Sequence, residues 1–321
     1  MKENDTRSAG ICSAIPFAIM AAIIVLFIIL TKGTILSPLN LEPFFERTAV
    51  LIICASGMLF VIAQGSTDMA AGSDVGFVGT FSCMLADRYG FALLFPTAIC
   101  LGALIGLATG LVVTRAKVSS FLTTLCLGVV LRAVMGMMLS TTSYLAGKSI
   151  KALMQPYILI PIFIGICLLC FYLFDRTPFG FRLRSIGENE VASAYAGVKT
   201  ALVRTMGFVV SGALSGIAGV LTVSRLGNAT NTTGTMFELQ TMIAIFLGGV
   251  LVSGGRSARY HKVLLGCITY MFLDNGMSIL RVNNLLNQCI RGVILIAIVA
   301  VTALCDRVQN RRSGNKMSVT L

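Results

Sequence analysis

Charge is scarce in this chain, and histidine is nearly absent. Only 12 % of the 321 residues are charged while 56 % are hydrophobic, and the mean hydropathy is +0.89. A soluble domain carries roughly 25 % charged residues, so a soluble fold is excluded. Histidine occurs once, at His261, which removes a histidine proton relay and an H-E-x-x-H zinc site; no Ser–His–Asp set or paired carboxylates take their place. No G-x-x-x-x-G-K-[ST] phosphate cradle is present either. The glycine-rich run Leu247–Arg259 lacks the lysine and the strand–loop–helix setting that such a cradle needs. The chain is therefore read as having no catalytic residue, no metal site and no cofactor of its own. Any work it does draws on a partner or an ion gradient, or runs passively.

What is present is a series of apolar runs. They fall near 14–31, 46–64, 71–86, 91–113, 118–140, 156–175, 201–224, 236–253, 260–280 and 284–304. Each is close to the ~20 residues that cross a bilayer core as a helix. The fold expected is an all-α polytopic membrane protein of about ten transmembrane helices, one transmembrane domain over 1–321. The first run is read as a retained span, because no small-x-small cleavage site follows it. The cysteines sit mostly inside apolar runs, including the Cys167/Cys170 pair within ICLLCFYLF, and read as small buried hydrophobes.

The net charge of +12 does not require nucleic acid, because Lys and Arg accumulate on cytoplasmic loops. With both termini inside, sixteen Lys and Arg fall on inner segments, among them Arg182, Arg184, Arg204, Arg256 and the tail's Arg311 and Arg312. Seven fall outside, from Lys32 and Arg47 to Arg225 and Arg281. That asymmetry predicts cytoplasmic termini, with a basic tail at 306–321, and a cytoplasmic polar interval at 179–198. In that interval Asn189 suits a helix N-cap and Gly197 a helix C-terminus. It reads as either an ordinary basic loop or a small-residue docking surface.

Two polar, glycine-bearing segments interrupt the apolar pattern at Gln64–Ser73 and Asn228–Gln240. On this topology they lie on opposite sides. Spans two to five and seven to ten then form two inverted repeats, and broken segments at matching places mark a transport route. Ionisable groups at depth are few: Asp68, Glu238 and Asp274, with Arg132 and Arg291 alone in their spans. Asp68 serves equally as a helix cap or as a pathway group. The arginines serve as interhelical partners or reach toward an interface. Gly212, Gly216 and Gly219 form a close-packing face. With so few charges to meet an ionised cargo, a neutral polar one is expected.

Several of these residues together resemble ribose-type ABC transporter permeases, within the superfamily that also holds branched-chain amino acid permeases. Gly187-Glu188-Asn189-Glu190-Val191-Ala192 and then Gly197-Val198 resemble that family's cytoplasmic coupling motif. Thr177-Pro178-Phe179-Gly180, Ser211-Gly212, Gly234-Thr235, Glu238-Leu239, Leu247-Gly248-Gly249 and Asn275-Gly276 follow in the family's order, and Asp68 with Gly72-Ser73 resembles its first broken segment. The resemblance implies a binding-protein-dependent importer in the bacterial inner membrane, moving a ribose-like pentose or a hexose. Its partners are a second permease subunit, lipid, an extracytoplasmic sugar-binding protein, and cytoplasmic ATP-binding subunits that carry the ATP and magnesium. Gly187, Asn189, Glu190, Ala192 and Gly197 are then coupling residues, and Asp68, Gly72, Ser73, Arg132, Glu238 and Asn275 pathway residues. Ser66-Thr67, Ala70, Gln240 and Asp274 depart from the family pattern, all in pathway segments. Nucleosides or branched-chain amino acids are the alternative cargoes. A stand-alone ion-coupled carrier is the alternative of another class.

Overall fold

Two long helices lie inside the molecule, and the remaining elements pack around them. The computed structural model describes residues 17, 20–139, 143–283, 286–294 and 296. The start of the first expected span, most of the last, and the tail at 306–321 lie outside the described residues. In chain order the helices are α1 (Met20–Leu30), α2 (Pro38–Ala63), α3 (Ala71–Tyr89), α4 (Leu94–Arg115), α5 (Ser120–Leu139), α6 (Lys148–Lys151) and α7 (Pro156–Phe171). After a π turn at Tyr172–Arg176 come α8 (Pro178–Glu188), α9 (Glu190–Tyr195), α10 (Thr200–Leu226), α11 (Phe237–Leu247), α12 (Tyr260–Ile279) and α13 (286–294). Among the described residues, five segments are long and apolar enough to cross a membrane: Pro38–Ala63, Phe91–Arg115, Ser120–Leu139, Pro156–Arg176 and Thr200–Leu226. The chain is an all-α, multi-pass membrane protein.

Burial separates these five into two kinds. In α2, every residue from Thr48 to Ala63 is buried; a helix apolar on all sides belongs in a core. The apolar windows of α2 and α10 are 83 % and 78 % buried, against 22 %, 28 % and 17 % for the windows around α4, α5 and α7. The outer three turn large side chains such as Leu104, Val129 and Leu168 outward, as lipid-facing helices do.

The packing face expected on α10 serves two neighbours. Gly212 and Gly216 meet α4 at Gly102 and Ala98, while Gly219 meets α3 at Val75 and Gly79. A Cβ on Gly102 would lie 2.2 Å from the Gly212 carbonyl oxygen. Close backbone approach of this kind gives dispersion contact where lipid removes any hydrophobic drive for helix association.

One expectation is corrected here. The run at 236–253 is not one helix: α11 stops at Leu247, and the chain continues through glycines of positive φ at Gly249, Gly254 and Gly255. The polar segments at 64–73 and 228–240, expected on opposite sides, also touch one another. They meet backbone to backbone, and a Cβ on Gly234 would lie 2.1 Å from the Gly72 carbonyl oxygen. An 11-residue α11 rises only about 16 Å, roughly half the thickness of a bilayer core, so it does not cross one alone. Elsewhere, Tyr144–Leu145 (β1) pairs antiparallel with Asn228–Ala229 (β2), joining the loop after α5 to the end of α10.

Gly102→Val is expected to lower the thermal midpoint of the detergent-solubilised protein, because the group in the way is α10 backbone. Overpacking of this kind costs about 1–3 kcal/mol. Gly165→Val, whose added side chain meets open space, is expected to leave the midpoint unchanged in the same scanning fluorimetry run.

Candidate translocation cavity and coupling surface

A cavity of about 510 Å³ opens between α2, the end of α10, the 228–235 segment, α11 and α12. Its polar wall is built by Thr230, Thr232, Thr233, Thr235, Gln240, Asp274, Arg47 and Arg225; Val50, Phe237 and Met271 give it apolar patches. Hydroxyls and an amide both donate and accept, and a mixed wall of this size suits a small polar molecule with some apolar surface. The wall is not free of charge. Arg47 and Arg225 line it, and Asp274 is paired with Arg291 of α13. The scarcity of charge read from the sequence therefore does not extend to the cavity.

Asp68, Gly72, Ser73, Arg132, Glu238 and Asn275, expected at a pathway, are not among the residues that line this cavity. Arg132 of α5 donates to Thr235 Oγ1 at 2.8 Å and to the Gly234 carbonyl at 3.3 Å, and lies 3.6 Å from Glu238. It thus fixes the bend at 234–238, where Met236 has a positive φ of 61°. Gly72 is a contact point: a Cβ there would fall 1.9 Å from Glu238 Oε2. Ser73 is buried. Asp68 is buried too, and its carboxylate accepts from the Ala70 amide at 3.1 Å and from Ser211 Oγ at 2.9 Å. Asn275 is off the wall, its Nδ2 buried without a hydrogen-bond partner among the described residues, and its neighbour Asp274 lines the cavity. The lining threonines were legible only as a polar segment. Gln240 and Asp274 were visible as departures from a family pattern.

The 64–70 segment is irregular backbone held by side chains. Ser120 Oγ accepts from the Thr67 amide at 3.2 Å, and Thr124 Oγ1 from the Met69 amide at 2.9 Å.

At the opposite end of α10 from the cavity, the interval 179–198 forms the two short helices α8 and α9. Asn189 caps α9, accepting from the Ala192 amide at 2.9 Å. Gly197 follows α9 with φ +83°, the left-handed end that glycine adopts without strain. Open space surrounds Gly197, so conformation, not close contact within this chain, accounts for it. Gly187 differs. A Cβ there would lie 2.1 Å from the Ala63 carbonyl oxygen and 2.6 Å from the Gly255 nitrogen, which makes it a packing position between α2 and the 254–257 loop. Glu190, expected as a coupling residue, has a carboxylate that accepts from Arg204 Nη1 at 2.9 and 3.0 Å. Val191, Ala192, Ala194, Tyr195 and Ala196 remain exposed beside Gly197.

A multi-pass helical protein with an open, polar-walled cavity and a small-residue surface at the far end belongs to the class of membrane permeases. Residues 40–299 match the family described as branched-chain amino acid transport system / permease component, and the chain belongs to that family. It is 30 % identical to the ribose import permease protein RbsC of Bacillus subtilis over 89 % of this chain and 90 % of that one. It is 29 % identical to the ribose import permease protein RbsC of Haemophilus influenzae, covering 81 % and 84 %. The galactose/methyl galactoside import permease protein MglC of Salmonella typhimurium is 28 % identical, covering 89 % and 93 %. No solved structure matches the chain.

Arg132→Met is expected to destabilise the protein by about 2 kcal/mol, below the full cost of orphaning a buried charge, because the Arg132 side chain is 30 % exposed. Adding Glu238→Gln is expected to recover most of that loss. Thermal midpoints of the two single variants and the double variant, taken as a cycle, measure it.

Proposed function

We propose that this chain is the membrane-spanning subunit of a binding-protein-dependent importer, and that it moves a monosaccharide by alternating access while partner subunits hydrolyse ATP. The similarity to ribose and galactose permeases over most of both chains carries this reading. The hydroxyl- and amide-rich cavity wall agrees with it. The sugar relatives favour a monosaccharide over the amino acid in the family's description. In this reading the chain is not itself an enzyme, and ATP and magnesium sit on the partners.

The remaining architecture follows from the same reading. About ten spans cross the inner membrane, with both termini cytoplasmic. The order long helix, polar segment, then three helices occurs twice: α2, 64–70, α3, α4 and α5, and again α10, 227–236, α11, α12 and α13. This supports two inverted repeats within one permease domain. Asp68, Gly72, Ser73, Arg132, Glu238 and Asn275 hold the broken segments in shape beside the route, and Thr230, Thr233, Gln240 and Asp274 meet the cargo. Residues 179–198 form the coupling loop, with Gly187, Asn189, Glu190, Ala192 and Gly197 shaping or supporting an ATPase-binding face. A second permease subunit and a sugar-binding protein complete the assembly.

Cysteine-accessibility mapping is expected to protect 180–198 and 305–321 from an impermeant reagent added outside, and to expose 142–155 and 226–235. Labelling of 180–198 from outside would reverse the orientation and remove the coupling role.

Gly197→Arg is expected to abolish both capture of the ATPase subunit and ATP-driven sugar uptake in proteoliposomes. A side chain at φ +83° costs roughly 1 kcal/mol and stands off the partner surface. Membrane insertion is expected to be unaffected. Normal capture and uptake would sink the coupling assignment.

A further inference from the structure

Three positions on one face of α10 run alongside the irregular segment that follows α2. Arg204, Gly207 and Ser211 are spaced three and then four residues apart, so they stack on one side of the helix. Each touches the segment. The Arg204 carbonyl accepts from Gln64 Nε2 at 3.3 Å, and Arg204 Nη2 donates to Ser66 Oγ at 3.1 Å. A Cβ on Gly207 would lie 3.0 Å from Gln64 Oε1. Ser211 Oγ donates to Asp68 at 2.9 Å. The segment is thus laid along α10 by polar contacts, with Arg204 at the end nearest α9.

Arg204 is also the residue that joins α9 to this arrangement. Its Nη1 binds both Glu190 carboxylate oxygens, and its Nη2 binds Ser66. One planar guanidinium spans two elements far apart in sequence. Lysine is a single point of charge and lacks the fork that makes this geometry. The Glu190 side chain is 48 % exposed and that of Arg204 20 %. A half-exposed ion pair contributes little to stability. Its value lies in geometry: two elements that would otherwise move independently share one rigid group.

We propose that Arg204 is a positioning residue that carries displacement of α9 to the 64–70 segment, and so to the Asp68 and Gly72 contacts at its far end. The inference rests on the reading of α9 as the ATPase contact. A shift of α9 on nucleotide binding pulls Glu190. The guanidinium follows it, and Ser66 is drawn along or released. The far side of the segment, tied to Ser120 and Thr124 of α5, turns that pull into a change of shape, since one edge moves while the other is held. Coupling of this kind needs an element with two discrete arrangements that both sites bias, and in this proposal that part falls to the 64–70 segment, irregular backbone tied to α10 on one side and to α5 on the other.

The test uses the full permease–ATPase complex in nanodiscs. Hydrogen exchange of the peptide covering 64–70 is compared with and without ATP and vanadate, alongside pull-down of the ATPase subunit. In the unmodified complex nucleotide is expected to change exchange in this peptide. Arg204→Gln is expected to lose that change while the ATPase subunit is still captured. Ser66→Ala, which leaves the Glu190–Arg204 pair in place, is expected to lose it as well.

A nucleotide-dependent change that survives in both Arg204→Gln and Ser66→Ala would overturn the proposal, and so would the absence of any change in the unmodified complex. Loss of ATPase capture in Arg204→Gln, with Ser66→Ala normal in both measurements, would overturn it too, by placing Arg204 in the docking surface. Capture of the ATPase by Gly197→Arg in the same pull-down would instead fault the reading of α9.

Discussion

In hydrocarbon every backbone N–H and C=O needs a partner inside the protein, and between its long apolar helices this chain runs through irregular backbone at 64–70 and 227–236. The two facts are compatible only because side chains take over where the helical ladder stops. Ser120, Thr124 and Asp68 satisfy the amides of Thr67, Met69 and Ala70. Arg132 takes the Gly234 carbonyl, and Thr233 Oγ1 takes the Thr230 amide. Irregular backbone is tolerated in membranes when it is wrapped in protein or lines a cavity. The first segment here is of the former kind and the second of the latter.

Around these segments two modes of contact divide the work. Apolar helices meet through glycine, backbone on backbone, where α10 passes α3 and α4. Polar groups join elements where the chain bends: Arg132 with Glu238, Arg291 with Asp274, Arg184 with Asp175, Arg204 with Glu190. The first mode is stiff and insensitive to charge. The second is directional and can be rearranged, and it lies at the loops and segments that transport would have to move.

What was legible in the sequence was local. The caps at Asn189 and Gly197 could be read because capping depends on neighbours within a turn. The helical stretches could be read from apolar runs, and the face of Gly212, Gly216 and Gly219 from its spacing. Interactions across the chain could not. Gly187 passed for part of an exposed motif, although its role is set by Ala63 and Gly255. Glu190 gave no sign of Arg204. The end of α11 was hidden because the apolar run continues through Leu247-Gly248-Gly249-Val250-Leu251, so composition masked a break made by glycine conformation. Asp68 drew notice because ionisable residues in apolar runs are rare, and Gly72 and Ser73 through the family resemblance; the contacts that surround them were not legible. The threonines that do line the cavity were unremarkable one by one.

The contact between Ala63, Gly187 and the Gly254–Gly255 turn has a consequence for solvent. It lies at the end of α10 away from the cavity, and its tightest approaches are to backbone: a Cβ on Gly254 would lie 2.1 Å from the Ile62 carbonyl oxygen, with the Glu188 side chain beside Gly255. Backbone seated on backbone leaves little void to wet, since even one water needs a space of about 10–15 Å³. Water therefore enters between Ala63 and Gly187 only when the two elements themselves part, not by the turning of a side chain.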